Sequence, residues 1–255
     1  MPALSISVLM PCFNEEIAVR FSIDRTFEAF KKYNLDGEII VIDDGSFDET
    51  SNIVKSLQQK YSNLILLRND FNHGIGYSFF KGVENSTKEL ITMFPGDNES
   101  NPIDSLLYID LMKSVDILVP FIRNVEVRSI YRRLISSCFR FIVNLSFGMN
   151  LNYTNGTVIY RKCILAQIRP ISKGFFYQAE ILVQLVRMGY LYAETPHFLE
   201  VRTGGVTKAV SLKSLKNVLL SFLTLFYKVH IQRSLGNTDI SLNPKSITYI
   251  RTKNV

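Results

Sequence analysis

Cysteine is scarce in this sequence, and the three that occur, Cys12, Cys138 and Cys163, are odd in number and widely spaced. Their spacing fits neither a disulfide framework nor a set of zinc ligands. This excludes a small secreted module held together by disulfides. We therefore expect the chain to work in a reducing compartment.

Long apolar runs are also missing, although 47% of the 255 residues are hydrophobic. No run approaches the roughly 20 residues that a membrane-spanning helix needs. The N-terminus, Met1 to Met10, lacks the basic stretch and long apolar core of a secretory signal. The sequence therefore predicts a cytoplasmic protein that is soluble or attached peripherally to a membrane.

Positive charge is sparse at the front of the chain and abundant at its end. The first hundred residues contain nine Lys/Arg against fifteen Asp/Glu, whereas residues 201–255 contain nine against one. This asymmetry predicts that the N-terminal part of the chain recognises a metal or a nucleotide base and that the C-terminal part binds an anionic partner. The basic segments are interleaved with Leu, Ile and Phe, which favours a lipid surface over nucleic acid.

Short apolar runs alternate with helical patterns along the first half. Runs rich in Ile, Val and Leu predict buried parallel strands at Ser5–Met10, Glu38–Ile42, Leu64–Arg68, Leu90–Phe94 and Asp116–Pro120. Helical periodicity lies between them at Glu15–Tyr33, Asp48–Tyr61, Gly74–Ser86 and Pro102–Lys113. The alternation predicts one doubly wound α/β domain over residues 1–232, followed by a polar, basic and loosely ordered tail over 233–255.

Acidic residues follow three of the predicted strands, in the segments Pro11–Glu15, Asp43–Ser46 and Pro95–Glu99. Ligands of such sheets bind outside the carboxyl ends of the strands. Carboxylates around one crevice repel each other unless a cation or a donor-rich ligand is present. Asp97 and Glu99, two residues apart on an extended loop, would hold Mg²⁺ or Mn²⁺, because oxygen ligands favour these ions over zinc. Taken singly, each loop also fits a turn with capping carboxylates.

The ordered set of motifs resembles the family 2 glycosyltransferases with a GT-A (Rossmann-like) fold, most closely the dolichyl- and polyprenyl-phosphate sugar synthases. Four segments carry this resemblance: Pro11-x-Phe13-Asn14-Glu15, Ile42-Asp43-Asp44-Gly45-Ser46-x-Asp48-x-Thr50, Asn72-His73-Gly74-Ile75-Gly76 with Gly82, and Arg202-x-x-Gly205-x-x-Lys208. The family's Asp-x-Asp element departs here, because it reads Pro95-Gly96-Asp97 and lacks the first carboxylate.

The resemblance implies an inverting, metal-dependent transfer of a sugar from a UDP- or GDP-linked donor. The residues expected to hold the nucleotide sugar are Pro11, Phe13, Glu15, Ile42, Asp44, Gly96 and Asp97. Asp44 would accept a hydrogen bond from the base, whereas Asp43 is alternatively a structural cap. Asp97 and Glu99 would hold Mg²⁺ or Mn²⁺. Arg202 and Lys208, on a glycine-rich loop, would close over the charge of the leaving diphosphate.

The acceptor is expected to be a polyprenyl phosphate at a membrane surface. Two segments, Arg123–Leu151 and Leu212–Ile231, combine basic and large apolar residues and are too short to span, so they predict helices that lie in the interface. Arg132 and Arg133 would contact the acceptor phosphate. On this basis residues 1–120 form the nucleotide-binding half and residues 121–232 the half facing acceptor and membrane. Helices buried in the core are the alternative for either segment.

Two other functions stay open. In the first, the acceptor is a hydroxyl of a lipid-linked glycan, and Glu180 is the base that removes its proton; a phosphate acceptor is already ionised and needs no strong base. In the second, the chain is a catalytically silent nucleotide-sugar binding protein, because one carboxylate of the metal motif is missing. A dinucleotide-binding oxidoreductase is disfavoured because Gly74-Ile75-Gly76 lacks a third glycine at the right spacing.

Overall fold

The computed structural model of this chain describes residues 3–198, 212–235 and 241–253. It divides into two compact units. The first comprises Met1–Asp110 with Thr157–Lys162, and the second comprises Leu111–Gly156 with Cys163–Val255. The predicted domain limits at residues 120 and 232 stay predictions.

The described residues form seven strands and nine α-helices. The strands are β1 (Ser5–Cys12), β2 (Asp36–Asp43), β3 (Leu64–Arg68), β4 (Leu90–Met93), β5 (Ile117–Ile122), β6 (Ile159–Arg161) and β7 (Tyr192–His197). The helices are α1 (Val19–Lys32), α2 (Thr50–Gln58), α3 (Ile75–Asn85), α4 (Pro102–Ser105), α5 (Ile130–Phe147), α6 (Lys162–Leu165), α7 (Tyr177–Arg187), α8 (Leu212–Phe226) and α9 (Ile247–Lys253). Strand–helix alternation in a mostly parallel α/β arrangement confirms the predicted fold class.

The first unit is built on strands in the order β3-β2-β1-β4-β6. β1 pairs in parallel with both β2 and β4, β2 pairs in parallel with β3, and β6 is antiparallel to β4. β1 and β2 are apolar along their middle residues because helices cover the sheet. Helix α3 packs closely on this core: a Cβ added at Gly82 would lie 2.7 Å from Leu9 Cδ2, so a larger residue there would require the Leu9 side chain to shift.

Two predicted helices differ from the structure. The first begins at Val19 rather than Glu15, because residues 16–18 form a turn in which Ala18 N–H donates to the carbonyl oxygen three residues back, that of Glu15 (3.0 Å). The helix predicted over Pro102–Lys113 is two pieces, α4 and a 3₁₀ helix at Ile109–Lys113. Its buried residues Leu106, Ile109 and Met112 recur every third position, which is the period of a 3₁₀ helix.

The second unit contains β5 and β7, which pair in parallel, and helix α7, whose residues Tyr177–Leu185 are all buried. The expectation of a loosely ordered tail is wrong for residues 241–253. The buried carboxylate of Asp116 accepts hydrogen bonds from the backbone N–H groups of Ile247 (2.8 Å) and Thr248 (2.9 Å) at the start of α9. Within the described residues, no helix has both the length and the apolar character to cross a membrane.

Candidate functional site

The carboxyl ends of β1, β2 and β4 meet at one edge of the sheet in the first unit. Cys12, the last residue of β1, is in register with Asp43 at the end of β2. Beyond β4 the chain stays beside β1, because Phe94 N–H donates to Leu9 (2.9 Å) and Gly96 N–H donates to Pro11 (3.1 Å). The three acidic loops therefore begin at the same edge.

The loops after β1 and β2 are joined by hydrogen bonds between them. Ser46 Oγ accepts from Asn14 N–H (2.9 Å) and Thr50 Oγ1 accepts from Glu15 N–H (2.8 Å). Asp48 accepts from Glu16 N–H (3.1 Å) and from Thr50. Burial acts to raise the pKa of the Asp48 carboxyl, but these hydrogen bonds outweigh burial and keep the pKa below its ordinary value. The Ser-x-Asp-x-Thr part of the motif thus holds the Phe-Asn-Glu loop in place.

The two adjacent carboxylates, Asp43 and Asp44, have different partners. Asp43 is fully buried, caps the turn by accepting from Ser46 N–H (2.9 Å), and lies 3.6 Å from Arg68 Nε. Asp44 accepts from the side chain of Asn69 and from the backbone of the loop leading to α3. The contacts of Asp43 are those of a structural cap, and the contact of Asp44 with a base stays a prediction.

The other residues expected at the nucleotide differ in exposure. Pro11, Phe13 and Glu15 are half-buried at the sheet edge, where the Phe13 ring meets the Phe47 ring edge-on at 5.4 Å. Ile42 is fully buried in β2 and packs in the core, so nothing in its described position adds to the prediction that it contacts a nucleotide.

The loop of Asp97 and Glu99 is a turn, and the expectation of an extended loop is wrong. Asn98 has a φ of 58°, in the left-handed region, and Glu99 N–H donates to Asp97 Oδ1 (3.1 Å). Arg25 Nη1 on α1 donates to Asn98 Oδ1 (3.2 Å). Asp97 is half-buried and Glu99 is exposed.

The pKa of the Cys12 thiol is affected by the carboxylates of all three loops. Burial is the main cause that raises its pKa well above the ordinary value, and the negative charges of Glu15, Asp43 and Asp97 raise it further. The electrostatic potential at this edge of the sheet is therefore negative, which suits a cation or a ligand rich in N–H groups.

The residues present fit a hard divalent cation that a ligand helps to hold. No three His, Cys, Asp or Glu side chains within residues 3–198, 212–235 and 241–253 converge on one point where a metal could bind. The carboxylate of Asp97 is the kind of oxygen ligand that Mg²⁺ and Mn²⁺ prefer. Mg²⁺ typically takes one or two protein carboxylates and completes its shell with phosphate oxygens and waters. Asp97 fits that role, and the part of Glu99 stays a prediction.

Gly96 stands where the family has the middle residue of Asp-x-Asp, and Cys12 leaves no room for a side chain there. A Cβ added at Gly96 would overlap Cys12 Sγ, whereas the next atoms, Cys12 Cβ and the Pro11 oxygen, would both be at 3.6 Å. The close approach of the Asp97 loop to the end of β1 therefore leaves no space for a side chain at position 96 unless the Cys12 side chain shifts.

We expect Gly96→Ala to destabilise the protein by about 1–3 kcal/mol, the usual cost of an overpacked core. In a Cys12→Ala background the same change should cost much less, because the overlapping sulfur is gone. Urea unfolding of the four proteins measures the coupling. Additive effects of the two substitutions would contradict this packing argument.

In the second unit, Glu180 is held inside the protein. It is 1% exposed, and its two carboxylate oxygens accept hydrogen bonds from the backbone N–H groups of Ile171 (2.6 Å) and Ser172 (2.9 Å). Burial raises its pKa to about 7, against the lowering effects of these hydrogen bonds and of Lys228. The catalytic assignment of Glu180 stays a prediction, and its contacts give it a second role in holding the segment before α7.

Of the predicted acceptor and lid residues, the structure describes only the two acceptor arginines. Arg132 and Arg133 lie on α5 and are exposed. Arg202 and Lys208 lie outside the described residues, so their roles stay predictions.

Sequence reasoning missed Asn69, whose side chain donates to Asp44, and Lys81, which contacts Asn69. Asn69 is buried directly after β3, and Lys81 on α3 donates to its side-chain oxygen. A polar residue immediately after a predicted strand was the available signal for Asn69. Nothing in the local pattern of α3 distinguishes Lys81 from a surface cation.

Comparison with known proteins agrees with this geometry. The model of the family described as Glycosyl transferase family 2 matches residues 7–175, which include all three acidic loops. The chain is 27% identical over 175 residues to dodecaprenyl-phosphate galacturonate synthase of Rhizobium johnstonii, covering 67% of this chain and 52% of that protein. It is 30% identical over 108 residues to a dolichyl-phosphate beta-glucosyltransferase of Trichomonas vaginalis, covering 40% of this chain and 33% of that protein. The chain thus spans about half or less of the length of these curated relatives.

Solved structures share the fold. The crystal structure of glucosyl-3-phosphoglycerate synthase from Mycobacterium tuberculosis with Mn²⁺, UDP-glucose and phosphoglyceric acid has a TM-score of 0.66 and 16% identity, and the match covers 88% of this chain and 80% of that one. The same enzyme with UDP has a TM-score of 0.65. With three acidic loops at one sheet edge and a family model matching about two thirds of its length, this chain belongs to glycosyl transferase family 2 and has a GT-A fold.

Proposed function

We propose that this chain transfers a sugar from a nucleoside-diphosphate sugar to a polyprenyl phosphate at the cytoplasmic face of a membrane. The observation that carries the proposal is the exposed apolar side of α5 in a family 2 glycosyltransferase; the same helix also carries the exposed Arg132 and Arg133. The curated relatives named above are a dodecaprenyl-phosphate and a dolichyl-phosphate sugar transferase, which supports the same acceptor class here.

The acidic residues at the sheet edge of the first unit support the proposal that a nucleotide-sugar donor binds there. Asp44 and Asp97 follow β2 and β4, where α/β sheets bind their ligands. Phe13, with the exposed Phe47 ring against it, offers an aromatic surface to a nucleoside. The negative electrostatic potential at this edge suits the N–H groups of a nucleotide base. A bound cation would offset the repulsion between these carboxylates and the diphosphate.

The chief electrostatic problem of the reaction is the charge on the leaving diphosphate. Mg²⁺ or Mn²⁺ at Asp97, with Glu99 as a further predicted ligand, would supply the opposite charge there. Arg202 and Lys208 are proposed to add positive charge from the chain itself. Arg25 holds the turn that carries Asp97 through its hydrogen bond to Asn98.

The second unit supports the acceptor side. Ile130, Leu134, Phe141 and Leu145 are all more than half exposed, and the helical repeat places them on one side of α5. Exposed apolar residues continue on α8 at Leu219, Leu220 and Leu223. Exposed apolar surface of this kind is typical of an interaction site, and arginines on the same helix suit an anionic lipid phosphate.

Transfer to a hydroxyl of a lipid-linked glycan is the second candidate. One observation favours it: the pKa of Glu180 is raised to about 7 by burial, which is the range of an effective general base. Its low exposure and its two backbone hydrogen bonds favour the phosphate acceptor, which needs no base.

The test is release of nucleoside diphosphate by the purified protein from a panel of UDP- and GDP-sugars with Mg²⁺ or Mn²⁺. We expect release to require added polyprenyl phosphate and to fall about 100-fold or more in Asp97→Ala, because the charge of the leaving group is then unbalanced. Glu84→Ala, an exposed carboxylate on α3, is the matched control and should keep full activity. The protein could instead bind a donor but release no nucleoside diphosphate with any polyprenyl phosphate. Release with a lipid-linked glycan would then establish the second candidate.

A further inference from the structure

The carboxylate of Asp44 is nearly saturated with hydrogen-bond donors from its own unit. It is 4% exposed; Oδ1 accepts from Asn69 Nδ2 (2.6 Å) and His73 N–H (3.0 Å), and Oδ2 accepts from Gly74 N–H (2.8 Å). An ionised carboxylate offers about four acceptor positions. Of the donors in the described residues, two occupy Oδ1 and one occupies Oδ2. One acceptor position therefore remains, on Oδ2.

Asn69 is fixed in the orientation that donates to Asp44. Its backbone N–H donates to the Asp43 carbonyl oxygen (2.8 Å), and its side-chain oxygen accepts from Lys81 Nζ (2.5 Å). Lys81 also donates to the Arg68 carbonyl oxygen (3.2 Å). Because an ammonium group only donates, the amide oxygen must face Lys81 and the amide NH₂ must face Asp44. Lys81 thus prevents the side-chain amide of Asn69 from flipping.

The neighbouring loop is fixed as well. Gly45 has a φ of 81°, and a Cβ added there would lie 2.7 Å from the backbone of Phe71. The chain between β3 and α3 therefore lies directly against the turn that carries Asp44, and the donors from His73 and Gly74 cannot easily move away. The pattern of used and unused acceptor positions is built into the fold.

We propose that Asn69, oriented by Lys81, is a positioning residue that makes Asp44 select uracil over guanine in the donor nucleotide. This inference rests on the proposed function, because it requires that a nucleotide base binds at Asp44. Uracil presents one imide N–H between two carbonyl oxygens and needs a single acceptor. Guanine presents two adjacent donors, N1–H and N2–H, which require both oxygens of a carboxylate. With Oδ1 saturated, one guanine donor would be buried without a partner.

Calorimetric titration of the purified protein with UDP and with GDP, both with Mg²⁺, tests the selectivity. An unpartnered buried donor is costly, so we expect UDP to bind at least about tenfold more tightly than GDP. Equal affinity for UDP and GDP would overturn this inference and leave the proposed function intact. If neither nucleotide binds, the proposed function fails.

Two variants then test the residues. Asn69→Ala removes one donor from Oδ1, and Lys81→Met releases the Asn69 amide, so in both the UDP-to-GDP affinity ratio should fall by about fivefold or more. Lys81→Arg keeps a donor and should retain most of the ratio. Lys55→Met, an exposed lysine on α2, is the matched control. An unchanged ratio in both variants, with nucleotides still bound, would overturn the role of Asn69.

Discussion

Replacing Phe141 and Leu145 together with aspartate is expected to abolish binding of the chain to lipid vesicles. The two side chains are 65% and 73% exposed and lie one turn apart on α5. Burying a large apolar side chain is worth about 1.5–3 kcal/mol, so losing two should weaken membrane binding about 100-fold or more. Flotation with vesicles of mixed zwitterionic and anionic lipids measures this loss directly.

The arrangement of α5 explains why these positions matter. Val143 and Phe147 are its buried residues, and Phe147 packs against Phe222 and Phe226 of α8. His230 Nε2 lies 2.7 Å from the Ser146 carbonyl oxygen and adds a polar contact at the same end of the helix. The C-terminal part of α5 is thus anchored in the second unit. Ile130, Leu134, Phe141 and Leu145 are on the side away from Val143 and Phe147 and are exposed, so they are the residues that the proposal places in lipid.

The controls separate membrane binding from folding. Ile250→Asp changes an apolar residue of α9 that is also about half exposed, and it should leave vesicle binding intact. Cys138 on α5 is exposed, whereas Cys12 is buried and Cys163 is partly exposed, so a polarity-sensitive dye on Cys138 in a Cys163→Ser background gives a second readout of lipid contact. Vesicle binding of the double variant within twofold of the unsubstituted protein would contradict a lipid-facing α5.

Five of the seven strands in the described residues could be predicted from the sequence because buried parallel strands are continuous apolar runs; β6 and β7, of three and six residues, were not predicted. β3 has the predicted limits, and β1, β2, β4 and β5 differ by one or two residues at their ends. The helix over Pro102–Lys113 was predicted wrongly because its apolar residues also satisfy a helical pattern. Only packing decides between a period of 3.6 and one of 3.0.

The docked C-terminal segment could not be predicted from composition. Residues 241–253 are polar and basic, which is typical of a loose tail. What orders them is the buried carboxylate of Asp116, which needs donors and obtains them from Ile247 and Thr248 more than a hundred residues away. An acidic residue opening a buried strand indicates that such donors exist, but the sequence does not reveal where in the chain they lie.

The motifs located the candidate site but not its contacts. The resemblance singled out Asp44 after β2 and Asp97 after β4, and the pairing of both strands with β1 puts the two residues at one sheet edge. It did not reveal that Asn69 donates to Asp44 and that Lys81 donates to Asn69, because these contacts join residues that follow β3 and β2 to a residue of α3. Side chains brought together by three elements leave no spacing signal in the sequence.

Glu180 is expected to make the stability of the protein fall as pH rises from about 5 to 8. Burial raises its pKa from 4.5 to about 7, so within this window the folded state retains a proton that the unfolded state has lost. The free energy of unfolding therefore decreases as pH rises through the folded pKa, by about 3 kcal/mol from this group. Below the unfolded pKa the carboxyl is neutral in both states and the penalty is absent.

Glu180→Gln removes the titration while keeping one acceptor oxygen for the N–H groups of Ile171 and Ser172. We expect the drop in unfolding free energy between pH 5 and pH 8, measured in urea, to be smaller in this variant by about 3 kcal/mol. Glu126→Gln, an exposed glutamate of the same unit, should behave like the unsubstituted protein. Taking differences between variants cancels the contributions of all other titrating groups.

The same variant separates the two acceptor hypotheses. A general base typically contributes 10²–10⁴-fold to the rate, so loss of catalysis on that scale in Glu180→Gln, with nucleotide binding retained, would favour a hydroxyl acceptor. If Glu180 only holds the segment before α7, turnover on a polyprenyl phosphate should fall far less, and the pH dependence of stability should still flatten. Stability with the same pH dependence in Glu180→Gln would contradict a carboxyl that is buried and protonated near neutral pH. The hydrogen bonds from Ile171 and Ser172 would then outweigh the desolvation of the carboxylate.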